Sequence, residues 1–295
     1  MSQHGNPHSV VAGKQYSPVK HTDTLKVEIN RIYIMWPRRV FIQWIIRNPQ
    51  PNTAYTFQIY RSGSSEGEWS LLGGVFDSDY FFVDEEFGGV EAGVAKANLY
   101  SMSRTLYYKL VVEGSDGSTA EVIKQAEPWN DRRHEGIRRK LVRDAYITLK
   151  VAMGTEIAVL KRRRWGTLCD CLTSTGQPTV AHCPKCHGTK FLGGFWNPVY
   201  TYGQKGSRPI NAQVMMEGIV ETRQTTSIIP LLPHVEYEDI IVFLREGRRY
   251  TVKESNPTQI HNVDVHQELI LSELAASSSE YDIPVGPWTE PCWWR

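Results

Sequence analysis

Four of the chain's five cysteines fall within Cys169–Thr189, CDCLTSTGQPTVAHCPKCHGT, as a C-x-C pair and a C-P-K-C pair with eleven residues between them. Two close pairs read as a thiolate site in a reducing compartment rather than as a disulfide framework. Zinc takes four thiolate or imidazole ligands in a tetrahedron, and short knuckles supply them in pairs. Cys183-Pro-Lys-Cys186 followed by His187-Gly188 is such a knuckle. The two-residue spacing lets both sulfurs reach one ion, and the glycine permits a tight turn with backbone N–H groups facing the thiolates. Cys169-Asp-Cys171 must be turned, because an extended backbone would send its two side chains to opposite sides. The predicted cofactor is a structural Zn2+ on Cys169, Cys171, Cys183 and Cys186, with His182 and His187 as alternates for one cysteine; Cys292 stands apart in the tail.

A catalytic zinc keeps an open position beside a general base. Four clustered thiolates leave none, and the chain has no H-E-x-x-H or H-x-E…P-C-x-x-C pattern. The metal is expected to close a loop too polar to hold itself, in a protein that is not an enzyme. Replacing Cys183 or Cys186 with Ser is then expected to release the metal and disorder the loop while the N-terminal part stays folded.

The 295 residues suffice for two domains. No run approaches the roughly 18 apolar residues of a membrane span, and the opening segment lacks the apolar core of a signal peptide. A net charge of +1 conceals an asymmetry. Between Arg132 and Arg164 eleven Lys or Arg face three acids, and between Glu217 and Arg295 thirteen acids face six Arg or Lys. Such polarity suits nucleic acid at one end, stacking on copies or oppositely charged partners, or merely segregated solvated faces.

Residues 1–24 are polar, punctuated by Gly and Pro, and read as a flexible arm. Residues 25–126 read as successive strands: LKVEINRIYI, RVFIQWII, AYTFQIYRS, EWSLLGGVF, YFFVDEEF, TLYYKLVVEG and STAEVI, separated by turn signals. Val40, Ile42 and Trp44 share one parity, as do Tyr55, Phe57 and Ile59, which predicts a β-sandwich. With Trp44 in the second strand, V-D-E-E before a corner, and Tyr108, Leu110 and Val112 on one face of the sixth, the segment resembles the fibronectin type III domain. The resemblance implies an immunoglobulin-like sandwich serving as a spacer or adhesive module. GGVEAGVAKANLYSMS is a longer insertion than that family usually carries.

Residues 131–151 change to a helical period, with Ile137, Leu141, Val142, Ala145, Tyr146 and Leu149 on one face and Gly154 at the end. Arg132, Arg133, Arg138, Arg139, Lys140 and Arg143, with Lys161, Arg162, Arg163 and Arg164 further on, are candidate contacts for nucleic acid or a neighbouring subunit. TEIAVL reads as a strand running into that second basic cluster.

The C-x-x-C-x-G-T…G-G-aromatic…P run through FLGGFWNPVY resembles the stretch after the knuckle in some phage neck and tail-connector proteins. Asp239, Ile240, Ile241, Gly247, Tyr250, Val252, Pro257, Gln267, Leu269, Leu271 and Leu274 come in an order similar to the small β-barrel of head-closure and head-to-tail connector proteins of tailed phages. Taken together, the expected fold is mainly β: a fibronectin type III-like sandwich, then residues 127–277 as a linking α-helix and a β-barrel with a zinc loop at 165–195. The resemblance implies a structural virion protein forming a homo-oligomeric ring in the neck, against portal, adaptor or tail proteins, with packaged DNA as a possible contact. The alternative is a zinc-ribbon nucleic-acid-binding protein using 132–164. Residues 278–295, with Trp288, Trp293 and Trp294, are expected to form an extended arm docking on a neighbouring subunit, because exposed tryptophans call for a partner; the opposing reading is a strand packed back on its own domain.

Overall fold

A computed structural model describes residues 25–35, 39–72, 80–85, 106–126, 132–173, 176–180, 183–206, 211–215, 218–222, 224–260 and 263–291. The expected arm 1–24, most of the segment before the sixth strand, His182, Cys292, Trp293 and Trp294 lie outside the described residues.

Seven strands come first: β1 (Val27–Met35), β2 (Arg39–Ile46), β3 (Tyr55–Ser62), β4 (Ser70–Leu71), β5 (Phe81–Asp84), β6 (Tyr107–Gly114) and β7 (Thr119–Gln125). They form two antiparallel sheets, β1-β2-β5 and β4-β3-β6-β7. Alternation governs the second sheet. Tyr55, Phe57 and Ile59 of β3 and Tyr108, Leu110 and Val112 of β6 are buried, and they meet Val40, Ile42 and Trp44 of β2 in one core. Between the sheets Asp84 is buried, accepting a hydrogen bond from the Tyr108 hydroxyl at 2.8 Å and pairing with Arg61 at 2.8 Å.

β2 departs from simple alternation. Phe41 and Gln43, on its other face, are buried as well. Phe41 packs with Val142, Val199, Leu231 and Leu232, so the three-stranded sheet is covered on both sides. The unbroken apolar run VFI in the sequence reflects this double burial.

Helix α1 (Arg132–Thr148) continues into a π-helical turn, Leu149–Met153, which ends at Gly154. A Cβ at Gly154 would lie 2.5 Å from the Leu149 carbonyl oxygen, which is why the chain needs glycine there. The helix buries Val142, Tyr146 and Leu149 as expected, but Ile137 is 48% exposed and Arg138 turns inward over the Tyr33 ring. The apolar face is therefore rotated from the one read in the sequence.

Strands β8 (Thr155–Leu160), β9 (Val199–Lys205), β12 (Gln224–Pro230), β13 (Ile240–Phe243), β14 (Arg248–Ile260) and β15 (Val263–Glu273) close an antiparallel barrel in the order β12-β15-β14-β13-β8-β9. Between β9 and β12 the chain forms a two-stranded ribbon, β10 (Asn211–Met215) and β11 (Gly218–Thr222). Ile157, Val159, Ile229, Val235, Ile241, Phe243, Tyr250, Val252, Leu269 and Leu271 fill the barrel. The predicted turn before RRYTV is present, with Gly247 at φ 66° and its N–H bonded to the Phe243 carbonyl.

Gln267 is wholly buried at one end of the barrel. The two N–H groups of its Nε2 serve the carbonyls of Pro230, Leu231 and Pro233, all at 2.9–3.0 Å, with one N–H shared, and its Oε1 accepts from the Val235 N–H at 2.9 Å. One side chain thus satisfies the backbone of a whole buried turn. Gln267→Leu leaves these groups unpaired away from water and is expected to cost about 3 kcal/mol of stability, measured as a lowered denaturation midpoint in urea.

Candidate metal centre

β8 and β9 are neighbours in the barrel, and residues 161–198 leave and return between them. The two legs form a narrow antiparallel stem, bridged at Arg162–Phe195 and Leu168–Phe191. The Cys169 N–H donates to the Lys190 carbonyl at 2.9 Å, which brings the two cysteine pairs to face each other at the top of the stem.

The first pair is turned, as the spacing requires: the Leu172 N–H reaches back to the Cys169 carbonyl at 3.1 Å. In the second, the His187 N–H bonds to the Cys183 carbonyl and the Thr189 N–H to the Cys186 carbonyl. His187 and Gly188 take φ 46° and 75°, wrapping the backbone around the sulfurs. Gly194 (φ 66°) lies against this turn, where a Cβ would sit 2.9 Å from the Cys186 carbonyl oxygen.

All four sulfurs lie within 4.8 Å of one another. Cys169 and Cys183 are 3.7 Å apart and Cys171 and Cys186 3.6 Å. A disulfide needs about 2.05 Å, whereas metal–sulfur bonds of about 2.3 Å in a tetrahedron place neighbouring sulfurs about 3.8 Å apart. The four cysteines are free thiols, and their spacing fits a metal ion. His187 is not part of this group of sulfurs. The N–H groups of Lys185 and Cys186 hold the Cys183 thiol down to about 7, while burial and the adjacent sulfurs push Cys171 up. Four sulfurs so close could hold a metal ion among them. The Lys185–Asp170 pair, at 3.1 Å, links the two turns on the outside.

Beneath the cluster, the basic run expected as a contact surface begins with a buried lysine and continues with three half-buried arginines. Lys161 is buried and pairs with Glu236 and Asp239, each at 3.0 Å. Arg162 pairs with Glu238 at 2.8 Å, Arg164 donates to the Tyr237 carbonyl, and Arg163 lies 4.1 Å over the Trp196 ring. Each of these four cations has a partner within the molecule, with Arg162, Arg163 and Arg164 half-buried. On α1, Arg138 is buried, Arg139 is half-buried, and Lys140 and Arg143 are exposed; Arg132 and Arg133 lie in its first turn.

The sequence reading missed two residues on the stem. Trp165 and Trp196 are buried, 5.5 Å apart, and belong to the core of the sandwich: Trp165 meets Phe57 at 6.5 Å and Trp196 meets Tyr80 at 6.4 Å. The Leu168 N–H also donates to Asn52 Oδ1 of the sandwich at 2.9 Å. The available signal was their placement, one tryptophan just before the first cysteine pair and one just after the last glycine.

The described part of the C-terminal segment lies against elements of the same chain. Trp288 packs 5.3 Å from Tyr202 beside Tyr146 and Leu149, and Glu290 pairs with Lys150. Arg249 donates to the carbonyls of Glu280 and Ile283 and lies over the Tyr281 ring. Ile283 and Val285 cover the outward side chains of β13, Ile240 and Val242. Through Pro291 the segment is a strap on its own barrel, with Trp288 half-buried.

No protein-family model matches the chain, and no curated protein matches it. No helix among the described residues is long and apolar enough to cross a membrane.

Two outcomes test the site. One Co2+ per chain is expected to give intense tetrahedral and thiolate charge-transfer absorption. Sharing about 10–16 kcal/mol of binding over four ligands makes Cys171→Ser about a hundredfold weaker in competition titrations. Near the base of the loop, burial and the Lys161 and Arg31 charges push His234 down to about 4. The unfolded chain takes up that proton near 6.5, so stability rises with pH between these values and is lost as pH falls from 6.5 toward 4. Urea midpoints are expected to track that slope, and His234→Gln to flatten it.

Proposed function

We propose that the chain is a structural, non-catalytic virion protein of a tailed phage, a ring-forming joint in the neck between head and tail, with Zn2+ on its four cysteines. The observation that carries the reading is the closed six-stranded barrel. From it β10 and β11 project as a ribbon, and β14 and β15 run on to Ile260 and Val263, past the strands beside them. Such extensions suit subunits that grip their neighbours.

Three further features support the same reading. The sheet orders β1-β2-β5 and β4-β3-β6-β7, the buried Trp44 in the second strand and the Tyr108–Asp84 hydrogen bond agree with a fibronectin type III-like module. Such a module would project from the ring as a spacer. The closed set of four sulfurs suits a structural zinc, whose coordination leaves no position for substrate. Finally, Lys140 and Arg143, exposed on α1, offer positive charge to copies or adjacent virion proteins.

The test is the oligomeric state of the purified full chain, alone and with neck or tail components. Light scattering and negative-stain microscopy are expected to show closed rings of identical copies. A monomer at every concentration, with no affinity for virion proteins, overturns the reading.

A further inference from the structure

We infer that the cysteine cluster is a metal-dependent joint: its occupancy decides whether the sandwich is held to the barrel at two places or at one. This rests on the reading of the cluster as a metal site.

The sandwich meets the rest of the molecule in two patches, adjoining through Phe81. In the first, Phe41, with Tyr33, Phe81 and Val83 beside it, packs against Val142, Val199, Leu231 and Leu232. This patch is apolar and built from α1 and barrel elements, so nothing in it depends on the cysteines. The second is the stem. Trp165 and Trp196 enter the sandwich core beside Trp44, Phe57 and Tyr80, and Asn52 accepts the Leu168 N–H one residue before Cys169.

The stem is firmly rooted at its lower end. Asp239 accepts from Lys161 Nζ at 3.0 Å and from the Arg162 N–H at 2.9 Å, and the Trp196 N–H donates to the Lys161 carbonyl. Its upper end is tied by hydrogen bonds, Cys169 N–H to the Lys190 carbonyl and Leu192 N–H to the Thr167 carbonyl, and by the exposed Lys185–Asp170 pair, with no buried ion pair among the described residues there. Among the described residues from 169 to 190, only Cys169, Cys183, Cys186 and Thr189 are buried. A polar loop of this kind has no core to hold it, and a metal supplies the missing cross-link. Trp165 lies between the two stem bridges, so the order of the upper bridge governs how firmly that ring is presented to Phe57. With the metal in place both legs are pinned. Without it the upper stem frays, the tryptophan contact loosens, and the sandwich pivots about the Phe41 patch.

Hydrogen exchange on the full chain loaded with Co2+, and again after removal by a chelator, tests this, with cobalt absorption reporting occupancy. Loss of metal is expected to speed exchange by about tenfold or more in residues 162–168, 195–196 and 52–59, while β12, β14 and β15 keep their protection. Trp165→Ala is expected to retain the cobalt spectrum yet show the same fast exchange in 52–59. If cobalt binds and leaves but exchange at the stem and in 52–59 is unchanged, the joint is wrong and the metal site stands. The joint is equally wrong if Trp165→Ala exchanges like the parent chain, or if all segments lose protection together. If cobalt gives no thiolate absorption, the metal reading fails and the joint with it.

Discussion

β8 and β9 lie side by side in the barrel, so whatever the chain inserts between them must return to the point where it left. That closure condition shapes the centre of the molecule. It forces the two legs of the insertion together as a stem and puts the residues farthest along it at a tip. It also leaves the stem flanks as a fixed wall on which another unit can rest. The cysteines occupy the tip and the tryptophans the wall.

The wall requires buried charge at its root. Asp239 is wholly enclosed, and burial pushes its carboxyl up while Lys161 and the Arg162 and Glu236 N–H groups pull the other way. A lysine and a carboxylate enclosed together contribute little net stability, but each is indispensable once the other is present, because a lone buried charge costs about 3–5 kcal/mol. The arrangement fixes where the stem departs more than it strengthens the fold. The large apolar contribution comes instead from the two indole rings above it.

Much of this was legible in the sequence, and the boundary of legibility has a physical cause. Turn signals, with clean alternation in several segments, located the N-terminal strands, β4 only at Ser70–Leu71, and Glu246-Gly247 marked the barrel hairpin, since these signals are local. The spacing of Cys183 and Cys186 announced a turn that their own backbone makes. What sequence could not supply was the destination of side chains whose partners lie far along the chain. The run Lys161–Arg164 looks like a solvated basic surface until Glu236, Glu238 and Asp239 are folded over it. Trp288 likewise meets Tyr202, a residue far back along the chain.

The two faces of the sandwich differ in what they leave free. The three-stranded sheet is covered on both sides, so β2 has no surface on which a side chain can change without disturbing a core. The four-stranded sheet is open outward: β7 alternates between exposed and half-buried positions, β4 is exposed, and Lys109 lies there over Tyr60 and Trp69. A peptide grafted for display, a dye or a spliced reporter segment therefore belongs in the loop between β3 and β4, whose residues 63–66 are exposed.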